Sequence, residues 1–202
     1  YPSLELVRLE KLFFKDQNKK KLLEYAFGDG CNTLHLLECG YEVYGLDVAK
    51  EALNSTNFRL KKYPELEKNA KLSLLPLDAT KIPYPDNYFS YGVALSILSL
   101  LGTEGKVRLL LSELKRVMAP KGKIIIDIND HESEFSKGKK QIEKNVFLSK
   151  PMENEIKCFC LENERDFENL IKDYFKIEDI GYSSHKIFGR RINEWIICAT
   201  KV

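Results

Sequence analysis

Three carboxylates and two glycines have the types and spacing to hold a polar ligand: Glu24, Asp47, Asp78, Gly28 and Gly30. In "EYAFGDG", residues 24–30, Glu24 closes an apolar run, and Gly28 and Gly30 let the backbone approach a ligand closely. A helical pattern begins after Cys31 and aims its free amides at the same spot. Asp47 closes "YEVYGLD" and offers the acceptor oxygens that a ribose diol needs. Asp78 ends the next apolar run, in "LPLDAT". If those runs are neighbouring strands, their ends make a nucleoside pocket.

Other reactive side chains lie further along. His131 and Asp130 follow "IIIDIN" and are the candidate general bases. His185 opens "HKIFGRR", in which Lys186, Arg190 and Arg191 could fork onto a phosphate or carboxylate. A solvated hairpin tip would carry the same charges. His35 lies inside a helical pattern and reads as a packing residue. Cys31, Cys39, Cys158, Cys160 and Cys198 form no CxxC pair, so they read as reduced thiols of a cytoplasmic protein with no metal site.

Positioning these groups requires strands that alternate with helices. "SLELVRLEKLFF" predicts an N-terminal helix, followed by a buried strand in "KKKLLEYAF" and a helix from Asn32 to Cys39 that Gly40 stops. "YEVYGLD" is a second strand and "AKEALNSTNFRLKKY" a second amphipathic helix ending before Pro64. "KLSLLPLD" and "YFSYGVALSIL" are further strands, "EGKVRLLLSELKRVM" a helix halted by "APKG", and "KIIIDI" a fifth strand. Such alternation predicts a doubly wound, mostly parallel α/β sheet.

Beyond residue 137 the rhythm changes. Residues 141–148 and 155–161 predict a hairpin around "SKPMENE", and a helix is expected near 164–174. "KIEDIGYSS" and "INEWIICATKV" are too close in sequence for a helical crossover, so the last of seven strands must run antiparallel. The expected organisation is one domain over 1–202, with a capping helix in 1–20 and a hairpin lid inserted at 137–162.

Composition narrows the partners. Among 202 residues, 32 Lys and Arg against 30 Asp and Glu give a net charge of +2, which carries no global signature of nucleic-acid or membrane binding. "KGKK", residues 137–140, lacks the interleaved aromatics of a single-strand site. No run reaches membrane-spanning length. The chain opens at Tyr1 without methionine or leader, as a trimmed chain would. A small-molecule substrate and a monomer or homodimer are the expectation.

With "EYAFGDG", Asp47, "DATKIPYPDNYFS", "ELKRVMAPKGKIIID" and the closing hairpin in order, the chain resembles the class I S-adenosylmethionine-dependent methyltransferases. The resemblance implies that backbone at Ala26, Phe27, Gly28 and Gly30 passes the methionine portion, with Glu24 acting on the amino-acid end. It implies ribose contacts at Asp47 with Val48, an adenine edge at Asp78 and Ala79, and a lining near the methyl group from Ala94 and Leu95. The N-terminal helix would cap the cleft, bringing Tyr1 and Arg8 to the substrate. Ala26 replaces a usual glycine, Ser90 a usual aspartate, and Lys121 precedes one glycine where two are common.

"YPSLELVR" ahead of the glycine motif is loosely similar to methyltransferases of bacterial surface-polysaccharide biosynthesis, which implies O-methylation of a sugar or phosphorylated sugar. Two rivals stand beside this reading. An NAD(P)-dependent oxidoreductase would use the same Gly28 and Asp47, although Thr33 occupies the third fingerprint position, where a small residue belongs. A non-catalytic binding subunit would keep the pocket alone.

Overall fold

A computed structural model describes residues 1–14, 20–150, 154–187 and 189–202. Its main sheet has seven strands in the order β3-β2-β1-β4-β5-β10-β9. They are β1 (Lys21–Tyr25), β2 (Glu42–Asp47), β3 (Ala70–Leu74), β4 (Phe89–Ala94), β5 (Met118–Asn129), β9 (Phe175–Ile187) and β10 (Arg190–Lys201). β1 pairs in parallel with both β2 and β4, so the chain reverses its direction of winding between β1 and β4. Ligands of such sheets bind outside the carboxyl ends at that switch.

β10 runs antiparallel between β5 and β9, as the short connection required. α1 (Leu4–Phe13), α2 (Cys31–Glu38), α3 (Lys50–Leu60) and the short α4 (Pro64–Glu67) cover one face. Leu6, Leu36, Leu37, Leu60, Ile125 and Ile196 form the core there. α5 (Glu104–Val117) and α6 (Glu164–Ile171) cover the other face. α5 buries Val107, Leu110, Leu111, Leu114 and Val117, the spacing of a single helical stripe, against Ile124, Ile126 and Ile128 of β5.

Two expectations need correction. The segment after β5 forms a three-stranded antiparallel sheet, not a hairpin: β6 (Lys140–Glu143), β7 (Val146–Ser149) and β8 (Ile156–Phe159). Asn145, with φ +62°, turns β6 into β7. Val146 and Phe159 share the α5 core with Leu98, which belongs to the 3-10 turn Leu98–Leu101 after β4. The small sheet therefore rests beside the carboxyl end of β4. In addition β3 stops at Leu74, so Asp78 lies in a following turn rather than at a strand end.

Both Ala26 and Lys121 adopt left-handed backbone, with φ +64° and φ +62°. A Cβ in that region costs about 1–2 kcal/mol. These departures from glycine are thus local strain that the surrounding sheet holds in place. Ala26→Gly and Lys121→Gly are each expected to raise unfolding free energy by about 1 kcal/mol, after the entropy that glycine adds to the unfolded chain. Urea denaturation checks this, with helical Ala52→Gly as a control expected to lower it.

Candidate functional site

The glycine turn is built by hydrogen bonds from β2. Ala26 N–H donates to the Leu46 carbonyl at 2.7 Å, and Gly28 N–H to Asp47 Oδ2 at 2.9 Å. Asp47 Oδ1 accepts the Ala49 N–H at 2.9 Å, at the start of α3. One carboxylate therefore joins the turn to the next helix. Each of its oxygens keeps a lone pair for a ligand hydroxyl.

Gly28 and Gly30 have φ of +57° and +77°. A side chain at Gly28 would meet nothing within 4 Å, so the turn leaves open space above it, whereas one at Gly30 would enter Thr56. Phe27 is buried and fills the space beside Gly45, holding the turn from beneath. Val48 and Leu77 are exposed apolar side chains, Leu77 at 90%. They directly follow Asp47 and precede Asp78 in the chain. Leu77 went unnoticed in the sequence because an apolar residue in "LPLD" reads as strand.

Glu24 is 2% exposed and accepts the Thr33 hydroxyl at 2.6 Å. Burial raises its pKa to about 8, against the lowering effect of the Thr33 bond and with a further push from Asp47. Because the folded value exceeds the unfolded one, this group stabilises the fold fully below pH 4.5 and loses that contribution as pH rises through about 8. Glu24→Gln is expected to flatten the fall in melting temperature between about pH 5 and 9. An unchanged slope in a calorimetric pH series would show Glu24 to be ionised already.

Ala94 is buried at the end of β4, level with Ile126, and Leu95 follows it. Ser96 then adopts φ +57° and donates its N–H to Asp127 Oδ1 at 2.6 Å. Asp127 is buried, and burial, followed by Glu194 and Glu5, raises its pKa well above the ordinary range. Glu194 rises to about 7 through burial and Glu5. This acid group under α1, beside the end of β4, was missed in the sequence because its members come from α1, β5 and β10.

The two candidate bases are engaged structurally. His131 donates Nε2–H to Asn145 Oδ1 and the Cys160 carbonyl, both at 3.1 Å, and packs edge-on against Phe147. That ties β5 to the small sheet. Asp130 accepts the Glu132 N–H at 2.7 Å and the Tyr182 hydroxyl at 2.6 Å, and Asn193 Nδ2 donates to that hydroxyl at 2.6 Å.

Lys186 and Arg191 are strand residues paired with each other across the β9–β10 ladder, not loop residues. The side chain of Arg190 and all of Phe188 lie outside the described residues. Arg191 Nη1 sits 3.4 Å from Glu132, which also pairs with Lys137. Arg191, Lys137, Lys139, Ser133, Glu134 and Gly189 line an open cavity of about 260 Å³ at the carboxyl edge. His185, partly buried, pairs with Ile192 in the same ladder.

The start of α1 reaches the glycine turn. The Tyr1 amino group lies 3.4 Å from Cys31 Sγ, and Ser3 N–H donates to Asn32 Oδ1 at 2.9 Å. The Tyr1 ring and Arg8 are exposed. Among the described residues no helix is long and apolar enough to cross a membrane. All the cysteines are free.

Residues 23–126 match the family described as methyltransferase domain. A demethylmenaquinone methyltransferase of Geobacillus is 32% identical over 112 residues, covering 54% of this chain and 45% of its own length. The chain thus spans under half the length of that curated relative. An S-adenosylmethionine-dependent methyltransferase of Methanosarcina mazei superposes with a TM-score of 0.81 at 19% identity, over 100% of this chain and 99% of its own. A Burkholderia thailandensis 1,6-didemethyltoxoflavin N1-methyltransferase, solved with S-adenosylhomocysteine, gives 0.70 at 13% identity, over 97% and 76%.

Proposed function

We propose that the chain, which belongs to the methyltransferase domain family and shares the class I fold of an S-adenosylmethionine-dependent methyltransferase, uses that cofactor to methylate a small anionic acceptor, such as a sugar or phosphorylated sugar, on oxygen. The turn and acids fit the cofactor: Asp47, which holds Gly28 N–H, would accept the ribose diol, the exposed Val48 and Leu77 would meet the adenine, and the open space over Gly28 would take the methionine portion. When bound, the cofactor supplies an activated methyl group on a sulfonium. The chain then has to orient the acceptor oxygen in line with that group and keep water out.

The cavity at the carboxyl edge is the observation that supports the anionic reading, with Arg191, Lys137 and Lys139 around it in excess over Glu134, and with Glu132 pairing Arg191 and Lys137. A phosphate or carboxylate oxygen is already ionised at neutral pH and needs no base, whereas a sugar hydroxyl needs one, for which Asp130 and His131 are the candidates, each held by hydrogen bonds to its neighbours. The small sheet of 140–159, resting on the turn after β4, fits a role as a lid over acceptors of this size. A cytoplasmic location for a polysaccharide precursor pathway follows from the same reading.

A second acceptor class is an amine, which must lose its proton before it attacks the methyl group; beside the end of β4, burial raises the pKa of Asp127 and lifts that of Glu194 to about 7, so Glu194 could accept that proton. A panel of phosphorylated sugars, neutral sugars, amines and quinones, including demethylmenaquinone, separates these readings by methyl transfer from labelled cofactor. Arg190→Ala with Arg191→Ala is expected to raise KM for a phosphorylated acceptor about 10-fold or more, with kcat little changed. An unchanged KM removes the reason for an anionic acceptor, and turnover of amines alone favours Glu194 as the base.

The oxidoreductase rival loses support at Thr33. It is fully buried and hydrogen-bonded to Glu24 where a dinucleotide fingerprint needs a small residue. Turnover of any acceptor in the panel also separates an enzyme from a binding subunit.

A further inference from the structure

Under the middle of α1, on the sheet face that carries α2, lies a constellation the methyl-transfer reading does not use. Glu10 of α1, His35 of α2 and Cys39, which caps the end of α2, bring a carboxylate oxygen, a ring nitrogen and a thiol within 4.8 Å of one another. Cys39 Sγ is 3.7 Å from His35 Nε2 and 4.0 Å from Nδ1. His35 and Cys39 are one helical turn apart, so both project from one face of the α2 end toward α1. Glu10 is fully buried, and its Oε1 accepts the Tyr41 hydroxyl at 2.7 Å.

We propose that Glu10, His35 and Cys39 form a binding site for one zinc-class divalent cation, with a fourth position open to water. The donor set decides the class. Thiolate, imidazole and carboxylate suit zinc, whereas calcium and magnesium take oxygen ligands. Metal–nitrogen and metal–sulfur bonds of about 2.0 and 2.3 Å at a tetrahedral angle place the two donors about 3.5 Å apart. The Cys39–His35 separation already lies there.

Tyr41 supplies what such sites have outside their ligands, a hydroxyl that orients the liganding carboxylate. On binding, the Cys39 S–H bond breaks, a metal–sulfur bond forms, and the proton passes to solvent without any change of oxidation state. The metal would join α1 to α2. Since Ser3 and Tyr1 at the start of α1 touch the beginning of α2 beside the glycine turn, the joint also steadies the wall of the cleft. Nothing in this site depends on the choice of acceptor or on cofactor binding.

The test uses the full chain, reduced and stripped with chelator, titrated with Co²⁺ alone and then with competing Zn²⁺. One equivalent of Co²⁺ should develop a thiolate-to-metal charge-transfer band with the visible bands of a tetrahedral ion, and Zn²⁺ should bleach both. Cys39→Ser should abolish the charge-transfer band while Cys31→Ser keeps it, and Tyr41→Phe should weaken binding about 10- to 100-fold. Circular dichroism of each variant confirms that it is folded. Absence of the band in the unsubstituted chain, or its survival in folded Cys39→Ser, overturns the proposal.

Discussion

Asp47→Ala should weaken binding of S-adenosylmethionine and S-adenosylhomocysteine by about 100-fold or more. Two contributions add in this substitution. The ligand loses the acceptors for its ribose diol, and hydrogen bonds to a charged group are worth about 1.5–3 kcal/mol, or roughly ten- to a hundredfold in affinity. The turn itself also loses its tether, because the same carboxylate holds the N–H groups of Gly28 and Ala49 at 2.9 Å each. Asp47→Asn, which keeps one acceptor oxygen, should fall between the two.

Titration calorimetry with both sulfur nucleosides and with NADH reads the result directly. Saturable binding of the first two that disappears in the variant supports the pocket as described. Binding of NADH alone would falsify the assignment of the glycine turn. Undiminished binding in Asp47→Ala would instead move the ribose to another acid, with Asp78 in its exposed turn the next to substitute.

Gly30→Ala is the substitution with the largest expected effect on stability, a loss of about 3 kcal/mol. An added Cβ would sit 2.8 Å from Thr56 Cβ and closer still to its Cγ2 and Oγ1, on backbone at φ +77°. Thr56 cannot simply turn away. It is fully buried, and its hydroxyl donates to the Gly28 carbonyl at 3.1 Å, so α3 and the turn are locked together at that point. For a chain of this size the loss corresponds to a fall of roughly 6–12 °C in melting temperature.

A second substitution separates the causes. In Gly30→Ala with Thr56→Ala the collision is relieved, and the residual cost relative to Thr56→Ala alone should shrink to the left-handed strain, about 1–2 kcal/mol. Differential scanning calorimetry of the four proteins closes the cycle. If the cost of Gly30→Ala is the same in both backgrounds, steric conflict with Thr56 is not its source.

What the sequence determined by itself was the part governed by short-range rules. The apolar runs at 21–25, 42–47 and 89–94 are strands buried on both faces, which need no alternation and announce themselves as continuous hydrophobic stretches. Gly28, Gly30 and Gly40 mark the turn and helix stop because only glycine takes positive φ without strain. The antiparallel last strand followed from a connection too short for a helix. These features fixed the class of sheet and hence the edge where a ligand binds.

The tertiary structure decided everything that depends on which strands and helices become neighbours. Ala26 could be read as an ordinary residue until its hydrogen bond to Leu46 placed it at φ +64°. Asp78 looked like a strand end until pairing with β2 ran out at Leu74. His131 and Asp130 were legible as candidate bases after the fifth strand, but their partners come from the small sheet and the β9–β10 ladder. Asp127 and Glu194, like Glu10 and His35, lie far apart in sequence, and no local pattern records their meeting. Long-range pairing sets these contacts, and through burial it also raises the pKa of Asp127 and Glu194.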